Sequence, residues 1–546
     1  MPKVTINGTT IEVPEGTNLV AAAEMAGQEI PHYCYHPGLS VAGNCRMCLV
    51  DITAMSATQP KPLPKLQIGC NTTVQDGMVV ESQSERVEEA RRGVLEFLLI
   101  NHPIDCPICD QAGECKLQEY YMDYGRYGSR FPLTEKVHKA KVQAIGPDIM
   151  LDQERCILCT RCVRFLDEVT ETHELMIKER GDHSELSVAD GQQVENPYAT
   201  NIVDICPVGA LTSREFRFQA RVWYLEGTPG ICPGCSTGCN IDTHSLRDDI
   251  YRLKPRANHE VNGFWMCDAG RRTYKERSHQ DRLRSCASRR EESFLELTWE
   301  DSAQRCAGLF ARSEAVDVIA SAAISMEEAY LLSRIADISG GTQSILSAGD
   351  SDIVGDDFLI SSDRFANRRG LRELGFRESV AAPSKVRAVF AYRCDPASVD
   401  EAWATLLEGS DGVVHADERV GVSTEYANEI VAVGGHFEID GTYLNRDSRL
   451  QLSQAAVEPS AGAVEGWKVL AAVLSELGGP AYASLDEVFA AMCESLGLRS
   501  GLRHENLESL GKLLADLRGP VIRQRSDTAD SHTGSSTDSS TDVATA

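Results

Sequence analysis

Residues 156–162 read CILCTRC, and Cys206 stands in DICPVGAL directly before Pro207. Three thiolates on so short a loop, with a distant Cys-Pro, form the ligand layout of a ferredoxin-like [4Fe–4S] fold. In that fold the cysteine before proline in one run serves the cluster held by the other run. Cys206 therefore closes the site of Cys156, Cys159 and Cys162. The reciprocal site is degenerate: its positions hold Leu166, Asn196, Ala199 and Ile202. A tetrahedral zinc ion suits this loop less well than a cubane does.

Working upstream, HPIDCPICDQAGECKLQ (102–118) holds Cys106, Cys109 and Cys115 but no fourth cysteine. The neighbouring cysteines belong to other groups. His102 is either the fourth ligand or a histidine placed against the dipole at the end of the preceding helix. Pro103 disfavours helical geometry at His102 itself. The residues alone leave both readings open.

Cys34, Cys45 and Cys48, with a remote Cys70, have the layout of a plant-type [2Fe–2S] ferredoxin, although the first gap is longer. Gly38 and Gly43 would let the loop backbone approach inorganic sulfide. Zinc or reduced core thiols are the alternatives. Downstream, Cys232, Cys235, Cys239 and Cys267 could hold zinc or a [4Fe–4S] cluster.

The whole chain supports metal. It has 546 residues and 19 cysteines, 15 of them between Cys34 and Cys267. No secretory signal or membrane-length apolar run is visible, so a reducing, cytoplasmic setting is expected, where structural disulfides are rare. A net charge of −27 argues against nucleic acid as a partner. Cys286, Cys306, Cys394 and Cys493 are scattered and read as inert thiols.

Element patterns divide the chain. KVTI and TIEVP, joined by Asn7-Gly8, predict a hairpin. TNLVAAAEMAG predicts a helix with Thr17 as N-cap and Gly27 as stop. MCLVDI, IGCNTTV and MVVES predict strands, and 84–100 a helix. Beyond residue 281, VDVIASAAI, MEEAYLLSRIADISGG and VRAVFAY alternate as strand, helix and strand, which predicts a parallel α/β sheet. The last 21 residues are polar and read as disordered. The expected architecture is α+β and multidomain. Resemblance to a known iron–sulfur family implies that it comprises a β-grasp [2Fe–2S] domain (1–82), a helical His/Cys3 cluster segment (83–125) and a ferredoxin-like [4Fe–4S] domain (126–220). A small [4Fe–4S] domain (221–280), an α/β domain (281–520) and a tail (521–546) follow.

All four cysteine groups, in this order, resemble the large iron–sulfur subunit of respiratory complex I, the NADH–quinone oxidoreductase. The resemblance covers roughly residues 1–280. It implies one [2Fe–2S] cluster on Cys34, Cys45, Cys48 and Cys70. It implies [4Fe–4S] clusters on His102 with Cys106, Cys109 and Cys115, on Cys156, Cys159, Cys162 and Cys206, and on Cys232, Cys235, Cys239 and Cys267. It implies no catalytic acid, base or nucleophile. The implied partners are the flavin, NADH-binding subunit, a small 2Fe–2S subunit, a two-cluster ferredoxin-like subunit and the quinone-site subunits. The chain would be peripheral on the cytoplasmic face of the inner membrane, with no direct membrane span.

The second half resembles a molybdopterin oxidoreductase domain, through HFEIDGTYLNRDSRLQ (436–451) and the turn after VRAVFAY. It departs from the active enzymes: ANEIVAVGG replaces the usual stretch, and Ala269 stands where they have lysine two positions after the fourth cluster cysteine. No molybdopterin is expected. The rival readings are a molybdenum-dependent formate dehydrogenase, an NAD-linked hydrogenase component and a zinc-stabilised structural protein. The degenerate positions 166, 196, 199 and 202 disfavour the hydrogenase, whose relatives generally keep both ferredoxin-like clusters.

Overall fold

The computed structural model describes residues 1–347, 354–379, 382, 387–460 and 462–518. The predicted disordered tail lies outside the described residues. Strands β1 (Lys3–Ile6) and β2 (Thr9–Glu12) pair antiparallel across Asn7 (φ 45°) and Gly8 (φ 84°), the left-handed pair that a tight hairpin needs. Helix α1 (Leu19–Met25) follows. Its N-cap is Asn18, whose side chain accepts from Ala21 N, whereas Thr17 turns back to donate to Pro14 O. Gly27 stops the helix at φ 69°, as predicted. Strands β3 (Leu49–Ala54), β4 (Gln67–Ile68) and β5 (Met78–Glu81) complete a mixed sheet in the order β2-β1-β5-β3-β4. The predicted strand at IGCNTTV survives only as β4. Residues 69–71 form a 3-10 turn that carries Cys70 inward.

Helix α2 (Glu85–Leu99) and α3 (Lys116–Tyr124) pack together around the 102–118 loop. Short strands β6 (Gln143–Ala144) and β7 (Ile149–Leu151), helix α4 (Arg161–Glu168), the hairpin β8 (Met176–Lys178)–β9 (Glu185–Ser187), helix α5 (Asn201–Asp204) and β10 (Leu211–Ser213) form the next unit. The antiparallel sheet β11 (Glu226–Ile231), β12 (Asn240–Leu246) and β13 (Asp249–Pro255) carries the fourth cysteine group, with α6 (Asp268–Arg271) directly after Cys267.

The second half is built on one eight-stranded sheet. Its strands are β14 (Cys286–Arg290), β15 (Ser293–Leu297), β16 (Val316–Ala320), β17 (Gln343–Leu346), β18 (Arg377–Ser379), β19 (Ala388–Tyr392), β20 (Gly412–Asp417) and β21 (Glu429–Ala432), in the order β15-β14-β21-β20-β19-β16-β17-β18. The six strands from β16 to β21 are mutually parallel, as alternating strands and helices require. Their near-continuous apolar runs, such as VDVIA and AVFAY, are buried throughout, as in a sheet covered on both faces. Helix α7 (Trp299–Phe310) and α8 (Met326–Ile338) pack in this half. Ser325 and Glu328 close a capping box at the start of α8. Phe310, Phe390, Trp403 and Phe489 are almost completely buried here, and truncating any one to alanine costs about 3–5 kcal/mol.

Candidate metal centres

The first cysteine group lies on the loop between α1 and β3 and on the turn after β4. The thiols are neighbours: Cys34 N donates to the Cys45 sulfur at 3.5 Å, and Cys70 lies near both Cys34 and Cys48. The neighbouring Cys45 and Cys70 thiols hold Cys34 well below the usual thiol range. Gly43 has φ 61° and open space around it, as a tight ligand loop requires. Gly38 has a different use from the one expected. A Cβ there would meet Phe264 at 2.6 Å and Trp265 at 2.9 Å, so it lets the first unit pack against the fourth.

In the second group, Cys106 sits in a 3-10 turn, Cys109 caps that turn, and Cys115 caps α3. Burial pushes the Cys115 thiol up to about 11. Helix α2 ends at Leu99, and His102 lies beyond it. Lys136 occupies the capping role: its Nζ donates to Leu99 O at 2.9 Å and to His102 O at 2.8 Å. The His102 Nδ1 is buried and has no hydrogen-bond partner. Burial, with Arg155 and Lys136 nearby, lowers its pKa to about 4, so the imidazole is neutral and able to coordinate.

The third group is on a strained loop. Leu158 (φ 52°) and Thr160 (φ 64°) are left-handed without being glycine, which costs on the order of 1 kcal/mol each. That bend aims Cys156 and Cys159 inward before α4 begins with Arg161 and brings in Cys162. Burial is the main cause that raises the pKa values of Cys156, Cys159 and Cys162, and the proximity of the group's other thiols, Cys206 included, raises them further. The reciprocal positions are filled. Leu166, Ala199 and Ile202 are buried apolar residues of one core, and Asn196 is held by Glu174.

In the fourth group Cys239 senses Cys232, Cys235 and Cys267. Gly270 is required here: a Cβ would come within 2.9 Å of the Cys232 sulfur. The predicted motif at 436–451 braces this loop. Asn445 donates to Thr237 O at 3.2 Å and Gln451 to Gly238 O at 3.0 Å, between Cys235 and Cys239.

Iron–sulfur clusters fit these groups. In the second, third and fourth groups the buried thiols with raised pKa values ionise only against compensating cationic charge, which iron would supply. The orphaned His102 Nδ1 and the orphaned Tyr33 hydroxyl, beside Cys115 and Cys45, are polar atoms otherwise buried without reason. Among the described residues no three His, Cys, Asp or Glu side chains gather as one metal ion requires. A multi-iron cluster holds its ligands farther apart than a single ion does.

Four family profiles match in succession. They are a 2Fe–2S iron–sulfur cluster binding domain (2–85), the NADH–ubiquinone oxidoreductase-G iron–sulfur binding region (91–130), the ferredoxin-like domain of NADH–quinone oxidoreductase subunit 3 (146–212) and the molybdopterin oxidoreductase Fe4S4 domain (226–279). An NADH–quinone oxidoreductase subunit of Rickettsia felis is 39% identical over 61% of this chain and 49% of its own length. From residue 2 to 279 the chain is thus similar, domain by domain, to iron–sulfur subunits of NADH–quinone oxidoreductases. Subunit 3 of the Thermus thermophilus enzyme is 38% identical over 62% of this chain and 46% of its own. The chain thus spans about half the length of these relatives. A solved NAD+-reducing [NiFe]-hydrogenase is 30% identical over 40% of this chain and 91% of its own, with a TM-score of 0.34, too low to support a structural argument.

The sequence alone gives no notice of the basic side chains that frame the second and third cysteine groups. Arg155 is bidentate to Asp105, and although burial would lower its pKa, Cys109, Asp105 and Asp152 raise it overall, while Arg161 and Arg164 bond the carbonyls of Ile205 and Cys34. Their only local mark is arginine at i+2 and i+5 from a cluster cysteine. Among the described residues no helix is long and apolar enough to cross a membrane.

Proposed function

We propose that this chain is the electron-carrying iron–sulfur subunit of an NADH–quinone oxidoreductase. Electrons from the flavin subunit travel through it one at a time toward quinone, and the whole complex couples that flow to proton translocation. One [2Fe–2S] cluster is held by Cys34, Cys45, Cys48 and Cys70. Three [4Fe–4S] clusters are held by His102/Cys106/Cys109/Cys115, by Cys156/Cys159/Cys162/Cys206 and by Cys232/Cys235/Cys239/Cys267. When bound, the clusters supply one-electron redox chemistry at potentials set by ligand type, charge, hydrogen bonds and burial.

The observation that carries this reading is a shared core. Cys34, Cys115 and Cys159 lie in one continuous buried cluster with Tyr33, Met47, Leu95, Leu117, Tyr120 and Val208, and Cys45, Cys156 and Cys206 pack against it. Three ligand groups therefore border the same water-free medium, as electron transfer between them needs. The fourth group belongs to a different core, which it shares with Cys162, Phe165, Leu166 and Trp265. By the family resemblance this group stands off the path, although its core also touches the third group through Cys162. Exposed Phe97, just before the 102–115 loop, and exposed Ile104 and Ile108, on it, suit burial against the acceptor subunit.

The chain itself binds, orients and insulates; it moves no proton. The test is rapid-freeze EPR of the assembled complex after mixing with NADH. All signals except that of the fourth group should be reduced within turnover. If NADH reduces none of them, the donor assignment is wrong.

A further inference from the structure

The first and third cysteine groups meet along a seam held by two arginines of α4. Arg161 donates from Nη1 to Ile205 O at 3.1 Å and from Nη2 to Tyr35 O. Ile205 directly precedes Cys206, and Tyr35 directly follows Cys34. One guanidinium therefore spans a ligand-bearing segment of each group. Arg164 stands beside it, on the carbonyls of Cys34 and Cys159.

Neither charge is neutralised by a side chain. Among the described residues Arg161 and Arg164 enter no ion pair with a carboxylate, whereas Arg155, Arg271 and Arg282 each hold at least one. Arg161 Nε is buried. Burial lowers the Arg161 pKa, and the Cys159, Cys206 and Cys34 sulfurs oppose that change. The group stays protonated all the same, because a guanidinium does not give up its proton in a protein. Two like charges held close together in a poorly solvated seam are unfavourable unless anions face them. The carbonyl acceptors offer only partial charge. An iron–sulfur centre on four thiolates supplies the anion when bound, and its negative charge grows by one unit on reduction.

A cation within reach of both centres stabilises the reduced form of each more than the oxidised form, and so raises both potentials. We propose that Arg161 is a tuning residue shared by the first and third clusters, its single charge holding both at higher potential than their thiolates alone would set. This rests on the assignment of clusters to those eight cysteines. Neutral carbonyls suit the role as acceptors. They fix the planar guanidinium in place and leave its charge intact, where a carboxylate partner would cancel it.

The experiment uses the full-length chain purified anaerobically with its iron, as wild type, R161Q and R161K. Iron content and an EPR-monitored redox titration are read for all four clusters. R161Q should lower the midpoint potentials of the first and third clusters together. Each should lose about tenfold in its reduction equilibrium, which is about 59 mV for a one-electron couple. The second and fourth clusters are internal controls and should not move. R161K keeps the charge but cannot fork across both carbonyls, so both potentials should stay near their wild-type values. If R161Q fails to hold a cluster that R161K holds at its wild-type potential, the charge is again the required element. The proposal is overturned if fully loaded R161Q leaves either potential in place or shifts all four alike. It is equally overturned if R161K lowers both potentials as R161Q does, or if the two variants lose the same cluster. Wild-type protein lacking these two signals would instead refute the cluster assignment itself.

Discussion

The guanidinium of Arg164 donates to the carbonyl oxygen of Cys34 at 2.5 Å. The same nitrogen reaches Cys159 O at 3.4 Å, so one side chain ties the backbone of the first cysteine group to that of the third. A second nitrogen of the fork holds Ser40 O. Arginine suits this position because its planar donors are pre-arranged and always charged. R164Q should therefore loosen the docking of the first unit by about 1.5–3 kcal/mol. Amide hydrogen exchange across residues 34–45 should rise while iron content stays constant. Unchanged exchange would mean the tie is not needed.

His102 is expected to lower the negative charge of its site by replacing one thiolate with a neutral imidazole. By analogy with His-ligated Rieske centres, this raises the potential. H102C should keep the cluster and lower its midpoint potential in an EPR-monitored titration. A potential that does not move would show that His102 is no ligand.

Gly209 faces the Cys109 sulfur so closely that any Cβ would collide with it, and would also meet Gln111 Cβ at 3.2 Å. G209A should displace Cys109 and remove one four-iron cluster, about four iron atoms, without unfolding the chain. Full iron content in G209A would contradict the placement of Cys109 in that group.

The second half carries an ion triad that runs from buried Glu327 to half-exposed Asp486. Glu327, fully buried, bonds His504 Nε2 at 2.9 Å, and His504 Nδ1 bonds Asp486 at 2.7 Å. Burial alone would lower the His504 pKa, but Glu327 and then Asp486 raise it overall. Burial would raise Glu327, but His504 lowers it overall. The histidine contribution is therefore complete below its unfolded pKa of about 6.5 and is lost as pH rises through the raised folded value. The glutamate contribution is present above about 4.3 and is lost as pH falls through its lowered folded value. The melting temperature of this half should decline as pH rises above about 6.5. H504Q should flatten that decline and cost about 3–5 kcal/mol at pH 6 by leaving Glu327 unpaired. A decline of the same size in H504Q would assign it to other groups.

Much of this was legible in the residues because cysteine spacing and strand periodicity are local signals. The hairpin at Asn7-Gly8, the stop at Gly27 and the parallel run from VDVIA to AVFAY follow from turn chemistry and burial pattern. What escaped depends on distant partners. Asn18 rather than Thr17 caps α1, although both residues are competent caps. IGCNTTV has strand composition, yet tertiary packing turns it at Gly69, whose Cβ would meet Cys48 O at 2.8 Å. Gly38 serves Phe264 and Trp265, more than two hundred residues away. Lys136 capping α2 is likewise a product of the assembled fold.

The central claim is four clusters of stated types on sixteen named ligands. Iron analysis of the anaerobically purified chain, with low-temperature EPR of the reduced protein, tests it most directly. The expected result is about 14 iron atoms per chain, with one two-iron and three four-iron signals. About ten would empty the fourth group. Stoichiometric zinc with no redox signal would contradict the account.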